Sequence, residues 1–256
     1  MCLLKHRCMS ACRYALAYGA FGRGLCSVTS NRCRLNAERK CTKSRSASSG
    51  TAFTYVKGKD IQMADKLQRC ALAFKKLIDI QYEIIIGRKG QISKIILNFS
   101  ETEFVHLVGL HKLTDNEFFR TASRKKVFDY VLDGKINYDT LTKSESFEFV
   151  KERIEYFEFL ESMLDSNDII FKYNSKKQVF SLIQADYLLQ SAHNCRDIYI
   201  FLDRIENSDS HFCRSFFPKG DKDYTVGQAK YTLLFKKKIN KITGEFEIQY
   251  DKLSDK

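Results

Sequence analysis

The sequence contains no tryptophan and a single proline among its 256 residues. Such scarcity of proline excludes a proline-rich linker or a mucin-like stalk. No stretch approaches the ~20 apolar residues that span a bilayer, so we expect no membrane insertion. The phosphate-binding loop, the dinucleotide glycine fingerprint and the His-Glu-x-x-His and Gly-x-Ser-x-Gly motifs are also absent. An apolar content of 44% is nevertheless enough for an ordinary buried core.

Cysteine is scarce beyond the N-terminal region. Six of the nine cysteines precede residue 42, and only Cys70, Cys195 and Cys213 follow it. An odd number of cysteines spread over the rest of the chain is not the pattern of a disulfide framework. We therefore predict a reduced, cytoplasmic protein.

Two His-x-Cys pairs, His193/Cys195 and His211/Cys213, raise the question of a zinc site. Side chains two positions apart share one face of a strand, so four ligands could meet. Most structural zinc sites instead use closely paired cysteines, and both segments here have apolar neighbours. We predict no metal and no cofactor.

The net charge of +12 belongs mostly to the first fifty residues. That segment holds ten of the 43 basic residues and one of the 31 acidic residues, which leaves 33 and 30 in residues 51–256. The body of the chain therefore carries a net charge of only +3. Because steering depends on where charges lie, the total charge is no argument that the body binds nucleic acid.

The first fifty residues also contain no isoleucine and no aspartate, whereas both are frequent afterwards. Three interpretations are open: a transit-type peptide, a basic tail for nucleic acid, or an extended reading frame whose natural start is Met63. We favour the last, since the first strongly periodic helix follows Met63. The predicted organisation is a disordered or non-native leader over residues 1–62 and one domain over residues 63–256.

The first half of this domain shows helical periodicity interrupted by one hairpin. Runs rich in isoleucine at 82–86 and 92–99, joined by a turn with two glycines, predict that hairpin. Ser100 and Glu103 form a capping box that opens a helix running through His111. Apolar spacing and terminal residues predict further helices over about 64–79, 123–132 and 144–164.

After Asn167, β-rich runs replace the helical spacing. Residues 169–173 and 179–183 flank a polar turn and predict a second hairpin. Short strands are predicted at 198–202, 212–217, 231–235 and 246–250. Helices first and antiparallel strands later predict an α+β fold, in which N-terminal helices pack on a mainly antiparallel sheet formed largely by the C-terminal half.

Two histidines, His106 and His111, lie among apolar residues of the helix predicted around 104–112. At ~100° per residue their side chains lie about 140° apart, too far round a helix to bind one metal ion. We expect one to face the core and the other solvent or a cleft, with His111 in the core because it shares a face with Leu107. For His106, a buried hydrogen-bonded histidine and a proton-transfer group both stay open.

The C-terminal part combines cationic, hydroxyl, amide and aromatic side chains near predicted strand ends. Such a set suits RNA, because cations bind phosphates, aromatic rings stack on unpaired bases, and hydroxyls and amides read base edges. It equally suits a solvated edge strand whose lysines discourage aggregation. The residues alone leave both interpretations open.

Four blocks of the sequence carry a resemblance to a known family. They are Phe104-x-His106-Leu107-x-Gly109-Leu110-His111-Lys112-Leu113, residues 82–90, residues 185–189, and residues 213–217 together with Tyr224-Thr225-x-x-Gln228. In these blocks the chain resembles the fourth family of phage-type barnase–EndoU–colicin–RelE-like nucleases, over about residues 64–250. The resemblance implies a compact nuclease fold, metal-independent RNA cleavage and an origin in a phage or another mobile element.

Cleavage of this kind needs a base for the ribose 2′-hydroxyl, an acid for the leaving 5′-oxygen and cations for the charge on phosphorus. We assign these roles by chemistry at the matching positions, with His106 as acid or base. The expected catalytic residues are His106, Arg214, Ser215 and Thr225. The expected RNA-binding residues are Lys112, His111, Tyr224, Gln228 and Lys238.

RNA is the expected partner, and a cognate inhibitor or immunity protein is a second expectation. The alternative is a non-catalytic module of a mobile element that binds RNA or protein with the same fold. The paired histidines and the Arg-Ser-Phe-Phe segment favour the enzyme, whereas the nearly neutral body favours the module.

Overall fold

The computed structural model describes residues 64–166, 169–178 and 181–254. The predicted leader, residues 1–62, and the predicted start at Met63 lie outside the described residues. None of the helices in these ranges has both the length and the apolar character that crossing a membrane demands.

The domain begins with helix α1 (Lys66–Ile78) and a hairpin of β1 (Ile80–Arg88) and β2 (Gln91–Leu97), as the sequence predicts. Short helices follow: α2 (Phe104–Val108), α3 (Glu117–Thr121), α4 (Arg124–Leu132), α5 (Tyr138–Thr142), α6 (Glu148–Phe157) and α7 (Leu160–Asp165). The later strands are β3 (Ile169–Lys172), β4 (Tyr187–His193), β5 (Arg196–Arg204), β6 (Ser210–Pro218), β7 (Ala229–Asn240) and β8 (Phe246–Asp251).

The strands form one mixed sheet with the order β1-β2-β6-β5-β4-β3-β7-β8. A further pairing closes the sheet on itself, because Ile80 to Gly87 run antiparallel to Asn240 to Thr232 of β7. Every described pairing is antiparallel except that of β2 with β6. The predicted α+β fold is confirmed, and the closure and the parallel pairing are details that sequence periodicity does not reveal.

Phe74 of α1 lies at the centre of the main core, which joins the helices to the sheet. Its ring contacts four others at centroid distances of 5.7 to 6.1 Å, in edge-on and tilted arrangements: Phe99, Phe104, Phe128 and Phe157. Phe157 in turn meets Phe216 of β6 edge-on at 5.3 Å. The helical layer is therefore fixed directly on the strand that carries Arg214.

The predicted second hairpin over residues 169–183 is wrong. β3 pairs with β4, from Ile169 opposite Gln190 to Lys172 opposite Tyr187. Residues 181–185 form no strand, and residues 179 and 180 lie outside the described residues. β4 shows no alternating pattern because both of its faces are covered: Leu189 joins the main core, and Leu188 joins a second, smaller cluster.

Two helix predictions also need correction. The helix predicted over 144–164 is two helices, α6 and α7, separated at Glu158 and Phe159. Buried residues continue at helical spacing on both sides of this break, so periodicity does not show it. The predicted capping box forms only in part: the Ser100 side chain makes no cap, whereas the Ser100 backbone amide favours the ionised Glu103 carboxyl.

Candidate active site

Gly109 ends helix α2 and creates a histidine pair. Its φ of 92° is a left-handed conformation that glycine adopts at no steric cost, and Leu110–Lys112 continue as one 3₁₀ turn. The rings of His106 and His111 therefore stack, with centroids 4.3 Å apart and planes inclined by 15°. The expectations that they diverge by 140° and that His111 is a core residue are wrong, because His111 is exposed and both rings line one cleft.

The cleft has a volume of about 720 Å³, within the range of roughly 300–1,000 Å³ that small-molecule sites span. Its polar lining consists of His106, His111, Lys112, Glu148, Glu152, Arg153, Arg214 and Ser215. Its apolar and aromatic lining consists of Phe149, Leu182, Ile183, Phe217, Pro218 and Tyr224. Proton-transfer groups and cations therefore share one surface with groups that can receive a flat ring.

A β-bulge brings the Arg-Ser segment to the histidines. Cys213 and Ser215 pair with successive residues of β5, which leaves Arg214 as an additional residue in β6. The bulge shifts the alternation of side chains by one position. Cys213 and Phe216 therefore both enter the main core, while Arg214 and Ser215 between them both line the cleft.

Six of the nine predicted site residues meet in this cleft: His106, His111, Lys112, Arg214, Ser215 and Tyr224. They come from α2, from the 3₁₀ turn after Gly109, from β6 and from the loop before β7. The histidine helix and the Arg-Ser-Phe-Phe segment thus lie on one surface, although more than 100 residues separate them in the chain.

Thr225 and Gln228 lie outside the lining of the cleft, so the prediction that they contact substrate needs correction. The Thr225 hydroxyl and amide both donate to Asp223 Oδ1, at 2.6 and 2.9 Å, and hold the loop that carries Tyr224. The Gln228 amide bonds the backbone nitrogen and oxygen of Asn174, at 2.8 and 3.2 Å. Both side chains fix loops within the fold.

Lys238 also lies away from the cleft, contrary to the prediction that it binds phosphate. Its Nζ contacts Glu161 Oε1 and Asp165 Oδ2, both at 2.8 Å, and its side chain is only 16% exposed. Asp165 further accepts a hydrogen bond from the buried Tyr82 hydroxyl at 2.6 Å. Lys238 therefore joins β7 to helix α7 as part of a structural ion-pair network.

Arg153 of α6 is a cleft cation that the sequence reading missed. Its guanidinium lies 5.2 Å from the centroid of the Phe217 ring, and no carboxylate of the described residues pairs with it. Burial lowers the pKa of Arg153 to about 10, which still leaves the group charged at neutral pH. The sequence does indicate that Arg153 has no ionic partner on its own helix. The residues three and four positions away, on the same helix face, are all uncharged: Phe149, Val150, Tyr156 and Phe157.

Glu103 is a second group that the sequence reading assigned only to a helix cap. With His106, Arg124 and Arg214 it lines a smaller cavity of about 150 Å³. Burial raises the pKa of its carboxyl to about 8, although the backbone amides of Ser100 and Cys213 favour its ionised form. Its Oε2 finds no hydrogen-bond partner among the described residues. His106 and Arg214 line both cavities, so Glu103 lies on the far side of these two residues.

The surroundings of the histidine pair favour the neutral form of both rings in the free protein. Burial, with repulsion from His111 and from Arg124, lowers the pKa of His106 to about 4. Partial desolvation by the surrounding protein and the nearby Arg153 charge likewise lower the pKa of His111, although the Val105 backbone carbonyl, as an acceptor for the ring, acts in the opposite direction. The cationic surroundings therefore suit an anion better than a second positive charge.

The His-x-Cys pairs do not converge. The His193 ring stacks on Phe159 at 4.2 Å, and Cys195 is exposed in the turn after β4, whereas His211 and Cys213 are buried on β6. Across the described ranges, no three His, Cys, Asp or Glu side chains gather as a metal-ligand set.

Comparison with known proteins gave one match, to a family model. Neither a search of curated proteins nor a search of solved structures gave a significant match. A family model described as phage-Barnase-EndoU-ColicinE5/D-RelE like nuclease4 matches residues 66–253. The match spans nearly all described elements and both segments of the cleft, which confirms the resemblance of the sequence blocks. The chain therefore belongs to this family of phage-type nucleases.

Proposed function

We propose that the protein is a metal-independent endoribonuclease whose active site is the cleft around His106 and His111. The observation that carries the proposal is the stacked histidine pair, 4.3 Å between centroids, beside the cations Arg153 and Arg214. Two imidazoles and nearby fixed cations are the groups that cleavage of RNA by its own 2′-hydroxyl requires.

In the proposed reaction one imidazole removes the proton of the ribose 2′-hydroxyl, whose oxygen then attacks the adjacent phosphorus. The bond from phosphorus to the 5′-oxygen breaks, and the other histidine, as imidazolium, protonates that oxygen. The products are a 2′,3′-cyclic phosphate and a free 5′-hydroxyl. Arg153 and Arg214 would stabilise the negative charge that builds up on the phosphoryl oxygens.

The proton states of the two histidines fit such a cycle once RNA is bound. Without substrate, burial and, to a smaller extent, the surrounding cations keep the pKa of both His106 and His111 low. A phosphate placed among those cations cancels part of their field and favours protonation of one imidazole. Substrate binding would thus create the acid, while the second imidazole stays neutral as the base.

The test is cleavage of unstructured RNA by the full chain in the presence of EDTA. We expect cleavage to persist and to leave cyclic-phosphate ends, and we expect His106→Ala and His111→Ala each to slow it by about 10²–10⁴-fold. His193→Ala is the matched control, because this histidine also stacks on an aromatic partner but lies outside the cleft.

Loss of wild-type cleavage on adding EDTA would contradict the metal-independent reaction. Unchanged rates in both histidine variants would remove the pair from the mechanism. RNA binding without any cleavage by the wild type would favour the alternative, a non-catalytic RNA-binding module.

A further inference from the structure

Two large apolar side chains in the lining of the cleft are exposed to solvent. Phe149 is 69% exposed and Leu182 is 98% exposed, although both are large and hydrophobic. Single exposed apolar residues are common on protein surfaces, but here they share a concave surface with Phe217 and Tyr224. The apolar area of this surface is exposed to water, and a bound flat ring would bury it.

We infer that this part of the cleft is a nucleobase subsite, so that the substrate is an unpaired RNA strand with one base seated on Phe149 and Leu182. The inference rests on the proposed ribonuclease function and specifies the class of RNA. Stacking on an aromatic ring is available only to a base that has left its helix, because paired bases have their faces covered by neighbours.

The position of Phe149 on helix α6 links this subsite to the proposed reaction centre. Arg153 follows it by four residues, so the two side chains are neighbours on the same helix face. A base on Phe149 therefore brings its own phosphate close to a cation that has no carboxylate partner among the described residues. Aromatic surface beside a fixed cation is what a single nucleotide requires.

The two carboxylates in the lining do not abolish this charge complementarity. Glu148 lies 3.3 Å from Lys151, and Glu152 lies 3.5 Å from Arg196, so each has a basic neighbour outside the cleft. Lys112, Arg153 and Arg214 remain on the lining as cations. An anionic backbone is therefore favoured over a cationic or a purely apolar occupant.

The part of the cleft lining that Tyr224 contributes is fixed by the fold. The Tyr224 ring meets the rings of Tyr199, Phe201 and Phe217 at 5.5 to 5.7 Å. Asp223 next to it accepts hydrogen bonds from the Tyr199 hydroxyl at 3.0 Å and from Lys219 at 2.6 Å. A ring held in this way is pre-organised, so binding a base costs little side-chain entropy there.

The experiment measures binding separately from cleavage. The probe is a fluorescent single-stranded RNA oligonucleotide whose 2′-O-methyl groups block nucleophilic attack by the 2′-oxygen. Its affinity for the full chain is compared with the affinities of the corresponding duplex and of an abasic analogue. We expect the single strand to bind most tightly and Phe149→Ala to weaken it by about tenfold, without changing the affinity for the abasic strand. Phe246→Ala, a 61% exposed phenylalanine on β8, is the matched control and should change neither.

Equal affinity for single strand and duplex, or an equal loss for the abasic strand in Phe149→Ala, would overturn the nucleobase subsite. Cleavage of unmodified RNA together with unchanged affinity in Phe149→Ala would overturn the subsite alone and leave the proposed function standing. Tight single-strand binding that depends on Phe149, with no cleavage of unmodified RNA, would support the subsite and contradict the ribonuclease.

Discussion

Gly109 lies close against the side chain of Arg153, a residue of the cleft lining. A Cβ atom at position 109 would lie 3.1 Å from Cδ of Arg153 and 3.1 Å from Cγ1 of Val150. The turn that pairs the histidines is therefore packed against the stem of the cation beside them. A change at this glycine acts on both the imidazole pair and the guanidinium.

We expect Gly109→Ala to lower the free energy of unfolding by about 1–2 kcal/mol, because a side chain is unfavourable at this positive φ. RNA cleavage should fall further, since Arg153 and the histidine turn must shift. The control is Gly90→Ala, which has a φ of 79° but no atom within 4 Å of the added carbon. Thermal unfolding and cleavage rates compare the two; equal loss of cleavage in both would contradict the argument.

Replacing Arg153 should separate stability from RNA binding. Arg153→Met keeps a long stem on Phe217 but removes a buried charge without an ionic partner in the described part of the chain, so we expect a higher melting temperature. Single-stranded RNA should bind more weakly, and the slope of log affinity against log salt should become shallower by about 0.7. Arg88→Met, which loses a similar contact with Tyr231 outside the cleft, should leave that slope unchanged. A wild-type slope in Arg153→Met would remove Arg153 from the phosphate site.

We expect Glu103 to make the stability of the fold fall as the pH rises. Its folded-state pKa, about 8, lies above its ordinary value of 4.5, so the unfolded chain releases this proton first and the stability it contributes is lost between these two values. Glu103→Gln should therefore resemble the wild type near pH 4.5 and exceed it at pH 9, by on the order of 5 kcal/mol. Denaturant unfolding at both pH values measures this. A difference that does not depend on pH would show that Glu103 ionises normally.

Lys238 should affect the fold and not the reaction. Lys238→Met leaves Glu161 and Asp165 without their shared cation, so we expect a loss of about 1–3 kcal/mol in unfolding free energy. Cleavage per folded molecule should stay at the wild-type level, because Lys238 does not line the cleft. Lys237→Met, next to it on β7, is the control for the loss of one positive charge. A fall in cleavage specific to Lys238→Met would restore the phosphate role that the sequence suggested.

Local patterns were sufficient for much of the fold. The periodicity of α1, the glycines of the first hairpin and the isoleucine-rich runs that follow them all predict the observed elements. β4 escaped detection because two cores cover its two faces, and the break between α6 and α7 leaves the spacing of buried residues intact. A strand that is buried on both faces shows no alternation of apolar and polar residues, and a helix break that keeps the spacing of buried residues does not interrupt the helical pattern. Neither feature can therefore be found from periodicity.

The sequence predicted most residues of the candidate site, but it did not predict how they are arranged. The sequence blocks around His106 and Arg214 identified both sides of the cleft. The assumption that one unbroken helix carries both histidines, however, placed the side chains of His106 and His111 on different faces. Only the left-handed φ of Gly109 and the extra residue in β6 bring the groups together. Both features depend on tertiary packing, which local sequence patterns do not show.

The closed sheet also dictates when the cleft can form. β1, near the start of the domain, pairs with β7, and β2 pairs with β6, so strands far apart in sequence must meet before the sheet closes. Such distant pairings are slow to form, because the chain loses entropy in closing long loops before the new contacts contribute any favourable free energy. During synthesis on the ribosome the strand that carries Arg214 emerges long after the histidines. A chain still being translated therefore lacks a complete cleft, and any activity of this site begins only when nearly the whole domain has been made.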